Sequence, residues 1–189
     1  MDLTSYAELA VRLVNTANGA GSDGDQLGTT ASLQELVADY PHLRGPSTHH
    51  DLDALRILRA ELTAIFTAAE ERDYPDAAQR LNALLVQYPL RPVLVRHDRS
   101  RWHLHLDPSG SVADRYGAGA VASLAAIAAQ FGLSHLGMCA FPGCRCAFAG
   151  TGPGRAGRYC TKHCASKGSV TALRTHSRAA ARGSASAAG

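Results

Sequence analysis

Cys139-Ala140-Phe141-Pro142-Gly143-Cys144 and Cys160-Thr161-Lys162-His163-Cys164 decide how this chain is read; fifteen residues separate them. Two short-spaced cysteine pairs joined by a loop of 10–20 residues have the spacing of a structural Cys₄ zinc site. Pro142 and Gly143 stand where the first pair must reverse direction, so each pair can present two sulfurs from its own tight turn. Disulfides are the competing reading. They suit small secreted domains, but Met1-Asp2-Leu3-Thr4 opens into amphipathic sequence without a charged-then-apolar leader, and five cysteines pair badly. The spacing therefore predicts Cys139, Cys144, Cys160 and Cys164 as ligands of Zn²⁺ in a cytoplasmic protein. Cys146 is left over as a spare thiol or a redox partner, and His163 is the alternative fourth ligand. So small a unit has almost no core, so metal binding should supply most of its folding free energy, on the order of 10–16 kcal/mol.

Charge separates the same region from the rest. Residues 136–189 hold eight of the 19 Lys and Arg residues and none of the 16 Asp and Glu, within a chain whose formal net charge is only +3. A basic unit fused to a zinc module is drawn to polyanions. Arg174, Arg178 and Arg182 recur at four-residue spacing, so a helix over 169–182 stacks them on one face, with Lys167 about two turns earlier. Such a stripe can run along a phosphate backbone, helped by Arg155 and Arg158. The bland alternative is a solvated charged face.

Upstream, apolar spacing predicts mostly helix. A first helix covers 4–17, with Leu9, Leu13 and Val14 on one stripe. Ser32-Leu33-Gln34-Glu35 reads as a capping box opening a short helix to about Tyr40, where Pro41 stops it. Asp51 opens a long helix through Arg72, with Leu55, Leu58, Leu62, Ile65 and Phe66 inward. Pro75 fits the first turn of the next, which runs to about Tyr88. The period then changes to two: 92–96 and 101–106 form a β-hairpin expected to turn Trp102, Leu104 and Leu106 toward the helices. An Ala-rich helix over 112–131 follows, and the zinc module is expected to dock on it. That helix has too few large apolar residues to span a membrane.

Other constellations carry little chemistry. His49-His50-Asp51 reads as loop histidines before a helix N-cap, His103 and His105 as one solvent-facing strand side, and Asp73 and Asp76 as helix-start carboxylates. The glycines of 150–157 do not make a phosphate cradle, since no Gly-Lys-Ser/Thr ending follows and no apolar strand precedes. An enzyme is not expected.

With these residues in view, the chain resembles the bacterial CGNR zinc-finger proteins, whose N-terminal part is the ABATE domain. The resemblance rests on 139–144, Phe148, Arg158-Tyr159-Cys160 and Cys164, and more broadly on Leu13-Val14-Asn15-Thr16, Pro89-Leu90-Arg91-Pro92 and the Trp102 strand. It implies a stress-related regulator of transcription whose finger binds DNA. The eponymous tetrad departs from the family here, reading Cys164-Ala165-Ser166-Lys167; the ligands persist, but Lys167 keeps a charge without the bidentate fork of Arg.

The expected protein is α+β. A mostly helical ABATE-like domain with one hairpin fills 1–135, a zinc finger with a basic helix fills 136–182, and a disordered tail covers 183–189. The expected function is zinc-dependent DNA binding, with the N-terminal domain sensing a small ligand or mediating association. The alternatives are a zinc-stabilised protein-interaction module and a thiol-based redox sensor.

Overall fold

The computed structural model describes residues 6–17, 24–96, 102–106, 109–151 and 158–168, without the side chains of 103, 105 and 106. Helix α1 (Ala7–Asn15) buries Leu9, Ala10, Leu13 and Val14, as the stripe predicts. It ends at Thr16, whose hydroxyl donates to the Leu13 carbonyl at 2.6 Å. Helix α2 (Thr30–Leu36) starts earlier than expected. The capping box is Thr29 with Ser32: the Thr29 hydroxyl accepts the Ser32 N–H, and the Ser32 hydroxyl accepts the Thr29 N–H. Two hydroxyls three residues apart satisfy both orphan donors, so Glu35 is not needed. The helix stops at Leu36, and a 3₁₀ turn at Pro41–Leu43 follows.

Helix α3 (His49–Glu70) is the spine of the molecule, burying Leu52, Leu55, Leu58, Leu62, Ile65 and Phe66. Its N-cap is Thr48, and Asp51 is the third helical residue, so His49 and His50 lie in the first turn and not in a preceding loop. Helix α4 (Tyr74–Gln87) is capped by Asp73, with Pro75 in its first turn and Leu81 and Leu84 inward. Helix α5 (Val112–Phe131) has the expected bounds, opened by a Ser111–Asp114 capping box. The Tyr116 hydroxyl on this helix reaches across the core to the Leu9 carbonyl at 2.7 Å.

Strands β1 (Pro92–Val95) and β2 (His103–Leu106) pair antiparallel, with Leu94 opposite Leu104. The expectation that Trp102 and Leu104 face the helices fails, while the Leu106 side chain lies outside those described. Trp102 is 61 % exposed, Leu104 45 % and Leu94 61 %. The helices already cover one another's apolar faces, and the Trp102 ring is covered instead by the Arg96 guanidinium, 5.9 Å from its centroid.

A second antiparallel pair, β3 (Leu136–Met138) and β4 (Ala147–Ala149), brackets the first cysteine turn. This sheet packs on α3 and α1, not on α5 as expected, and Leu136 and Ala147 join the helical core. Gly137 makes the close approach possible. A side chain there would meet the Glu70 carboxylate at 2.9 Å and the Phe148 ring at 3.1 Å. No helix among the described residues is long and apolar enough to cross a membrane. The architecture is α+β, mostly helical to Phe131 and then a small sheet leading into the cysteines.

Candidate metal centre

Strand β3 ends one residue before Cys139, so the sheet aims the first cysteine. The chain reverses through a turn in which the Cys144 N–H donates to the Phe141 carbonyl at 2.9 Å. Gly143 supplies the positive φ (+83°) that this reversal requires. The Cys139 N–H then donates to the Cys146 carbonyl at 2.8 Å, closing the knuckle where the strands diverge. The returning segment is held by the Ala140 N–H, which donates to the Arg158 carbonyl at 2.7 Å. Residues 162–168 form a short helix, α6. Thr161 caps it: its hydroxyl accepts the Cys164 N–H at 3.1 Å, fixing Cys164 in the first turn.

These contacts bring the Sγ atoms of Cys139, Cys144, Cys160 and Cys164 within 4.8 Å of one another. Cys144 and Cys160 are 3.6 Å apart and Cys160 and Cys164 3.8 Å, far beyond a sulfur–sulfur bond of about 2.05 Å. All five cysteines are free thiols; Cys139 and Cys164 are buried, and Cys144 and Cys160 half-buried. Burial, reinforced by Cys139, Cys144 and Cys164 around it, pushes the Cys160 thiol well above its ordinary value. Four thiolates cannot share so small a space unless a cation stands among them. The donor set therefore suits one metal ion held tetrahedrally by sulfur.

Cys146 adjoins this group without belonging to it. Burial first, then contact with Cys144, pushes its thiol up to about 11. His163 is exposed on α6 and stands outside the group, whose fourth thiol is that of Cys164. Phe148 is buried on β4, as a small core under the centre requires.

Sequence reasoning missed the residue that attaches the centre to the helices. Asn15, at the C-terminal end of α1, accepts the Ala147 N–H on its Oδ1 at 2.7 Å and donates from Nδ2 to the Ala147 carbonyl at 3.3 Å. Its signal was present in the Leu13-Val14-Asn15-Thr16 stretch, where a carboxamide ends an apolar stripe with nothing local to bond.

Of the expected phosphate contacts, Arg158 is exposed just before the second cysteine pair, and Lys167 is exposed on α6. Arg155, Arg174, Arg178 and Arg182, and the tail over 183–189, lie outside the described residues. His49 and His50 are exposed, Asp73 caps α4, and Asp76 pairs with Arg80 at 2.7 Å. Asp51 is buried and spent on helix capping. The side chains of His103 and His105 are among those not described.

Residues 7–133 match the ABATE family, described as "Putative stress-induced transcription regulator". The four-cysteine cluster beyond the match is consistent with a CGNR-type zinc module. No curated protein sequence matches the chain.

Proposed function

Because the chain belongs to the ABATE family, matched over 7–133, we propose that it is a zinc-dependent DNA-binding regulator of transcription and not an enzyme. The observation that carries this reading is the convergence of four thiols inside a segment free of acidic residues. Zinc–sulfur bonds of about 2.3 Å in a tetrahedron set the sulfurs roughly 3.8 Å apart. The separations of 3.6 and 3.8 Å are of that size. Four thiolates and one Zn²⁺ together carry two negative charges, which the eight basic residues of 136–189 outweigh. Arg158 and Lys167, with Arg155, Arg174, Arg178 and Arg182, would lie along phosphates, displacing condensed counterions. The α1–α5 region would then modulate the finger, acting in the cytoplasm where thiols stay reduced.

The test is binding of the zinc-loaded protein to duplex DNA across a salt series. About four to six phosphate contacts give a log–log slope of roughly −4 to −5. Replacing Arg174, Arg178 and Arg182 together by Ala should flatten that slope. A salt-independent response, or unchanged affinity in the triple variant, would defeat the reading.

A further inference from the structure

A cavity of about 320 Å³ opens where α4 ends and α5 begins. Its walls combine apolar surface from Val86, Tyr88, Pro89 and Ala118 with the Gln87 amide and three charged groups, Arg91, Arg115 and Asp114. That size lies at the lower end of small-molecule sites, and a mostly apolar wall with few polar anchors is their usual construction.

The walls are held in place. The Tyr88 ring lies on the face of α5 at Gly117, where a side-chain carbon would come within 2.3 Å of it, so this glycine is what admits the ring. Ser109 and Gly110 form the rim, and Gly110 turns with a positive φ of 92°. Arg115, itself part of the wall, braces that rim by donating to the carbonyls of Gly110, Leu43 and Arg44. Asp114 accepts the Ser111 N–H on Oδ2, which orients the carboxylate, and its charge adds to burial in raising the Tyr88 phenol. Arg91 makes no hydrogen bond or ion pair with any described residue, and it does not bridge to Asp114. Both signs of charge thus line one small cavity, and Arg91 and Asp114 do not neutralise each other.

We propose that this cavity binds a small zwitterion of the free α-amino-acid class, with its carboxylate on Arg91, its ammonium on Asp114 and its side chain against Tyr88, Pro89 and Val86. The electrostatics favour a ligand carrying both charges over the simpler ones. An anion would place its charge beside Asp114, a cation beside Arg91, and a purely apolar molecule would strip water from both without returning a partner. Only a ligand with both charges pairs each group, and charge-assisted hydrogen bonds are the stronger kind. The site lies on the helical region, so its occupancy can be read without reference to nucleic acid.

The experiment titrates the full chain, zinc-loaded, with leucine, methionine, phenylalanine and glutamine, followed by calorimetry and by the shift in melting temperature. Two one-charge analogues of leucine, 4-methylpentanoate and isopentylamine, are run beside them. At least one amino acid should bind at millimolar concentration or better, with each analogue of leucine about tenfold weaker than leucine. Arg91→Gln, at an exposed position with no partner to lose among the described residues, should leave the unliganded melting temperature unchanged and weaken binding about tenfold. Absence of binding by all four amino acids, an analogue as good as leucine, or undiminished binding in Arg91→Gln would each overturn the proposal.

Discussion

The Asn15 carboxamide holds the Ala147 peptide on both sides, accepting its N–H at 2.7 Å and donating to its carbonyl at 3.3 Å. It does for the free edge of β4 what another strand would do, although it belongs to a helix 132 residues away in sequence. Cys146 precedes Ala147, and its carbonyl closes the first cysteine turn through the Cys139 N–H. The last residue of α1 is thereby one peptide removed from the metal centre. Asn15→Ala leaves a part-buried donor and acceptor without partners and should cost about 1–3 kcal/mol. Asn15→Asp keeps the acceptor but sets a carboxylate against the Ala147 carbonyl, so it should not rescue. Urea denaturation measures the stability, and competition with a chromogenic chelator measures the accompanying faster release of metal.

Arg59 clamps Asp25 with two bonds, of 2.5 and 2.6 Å, and also donates to the Thr16 hydroxyl at 2.9 Å. The same carboxylate accepts the Leu27 N–H, which seats Leu27 fully inside the core. The Arg59 hydrogen bond is the main cause holding the Asp25 carboxyl down to about 2. A carboxyl lowered on folding stabilises above its unfolded pKa of about 3.9, and loses that contribution as pH falls through its folded value. The loss should therefore fall between about pH 4 and pH 2. Because Asp25 is partly solvated, the contribution is below about 1 kcal/mol. Asp25→Asn should lower the melting temperature at pH 7 and have little effect at pH 2, as followed by circular dichroism.

How much of this could be read beforehand depended on whether the deciding partner was near in sequence. Helix α5 was legible because its Ala-rich run is one continuous local signal over 112–131. The convergence of the four cysteines was legible because metal geometry restricts cysteine spacing. Caps were legible only as a class. A Thr, Ser or Asp near a helix start signals a cap, but which one is used follows from backbone angles, and Thr29 and Thr48 took positions given to Ser32 and Asp51. The outward Trp102 was not legible, because alternation marks two faces of a strand without saying which one meets a core. Which partner Asn15 meets, and where the second sheet sits on α1 and α3, were illegible because each contact joins segments far apart in the chain, 132 positions for Asn15 and Ala147.

Asp51 caps two helices with one carboxylate. Its Oδ2 accepts the Thr48 N–H and hydroxyl at 2.9 and 2.6 Å, while Oδ1 accepts the Ala113 N–H in the first turn of α5 at 3.0 Å. Burial pushes its pKa up, but the bonds from Thr48, Ala113 and Ser111 together outweigh it, and the group ends below its ordinary value. Its stabilisation is thus complete above the unfolded pKa and fades as pH falls through the folded one. Asp51→Ala removes the acceptor of all three donors and should cost about 2–3 kcal/mol at pH 7. Asp51→Asn retains one carbonyl oxygen and should cost about half as much. Equilibrium unfolding at pH 7 ranks the two.

Metal removal should separate the two parts of the molecule. The helices close their own core, whereas the segment from Cys139 to α6 is held mainly by a few backbone bonds and the four sulfurs. Stripping the ion with a strong chelator should abolish hydrogen-exchange protection over 139–146 and 158–168 and leave α3 and α5 protected, with most helical circular dichroism retained. Elemental analysis of the untreated protein should give one zinc per chain. Cys139→Ser and Cys164→Ser each remove a buried thiolate ligand and should bring that stoichiometry close to zero. Cys146→Ser and His163→Ala should keep it at one, since neither residue belongs to the converging group. A stoichiometry that fell with Cys146→Ser, or survived Cys164→Ser, would mean that the ion is gripped by a different set of sulfurs from the one that β3, the Gly143 turn and the Thr161 cap bring together.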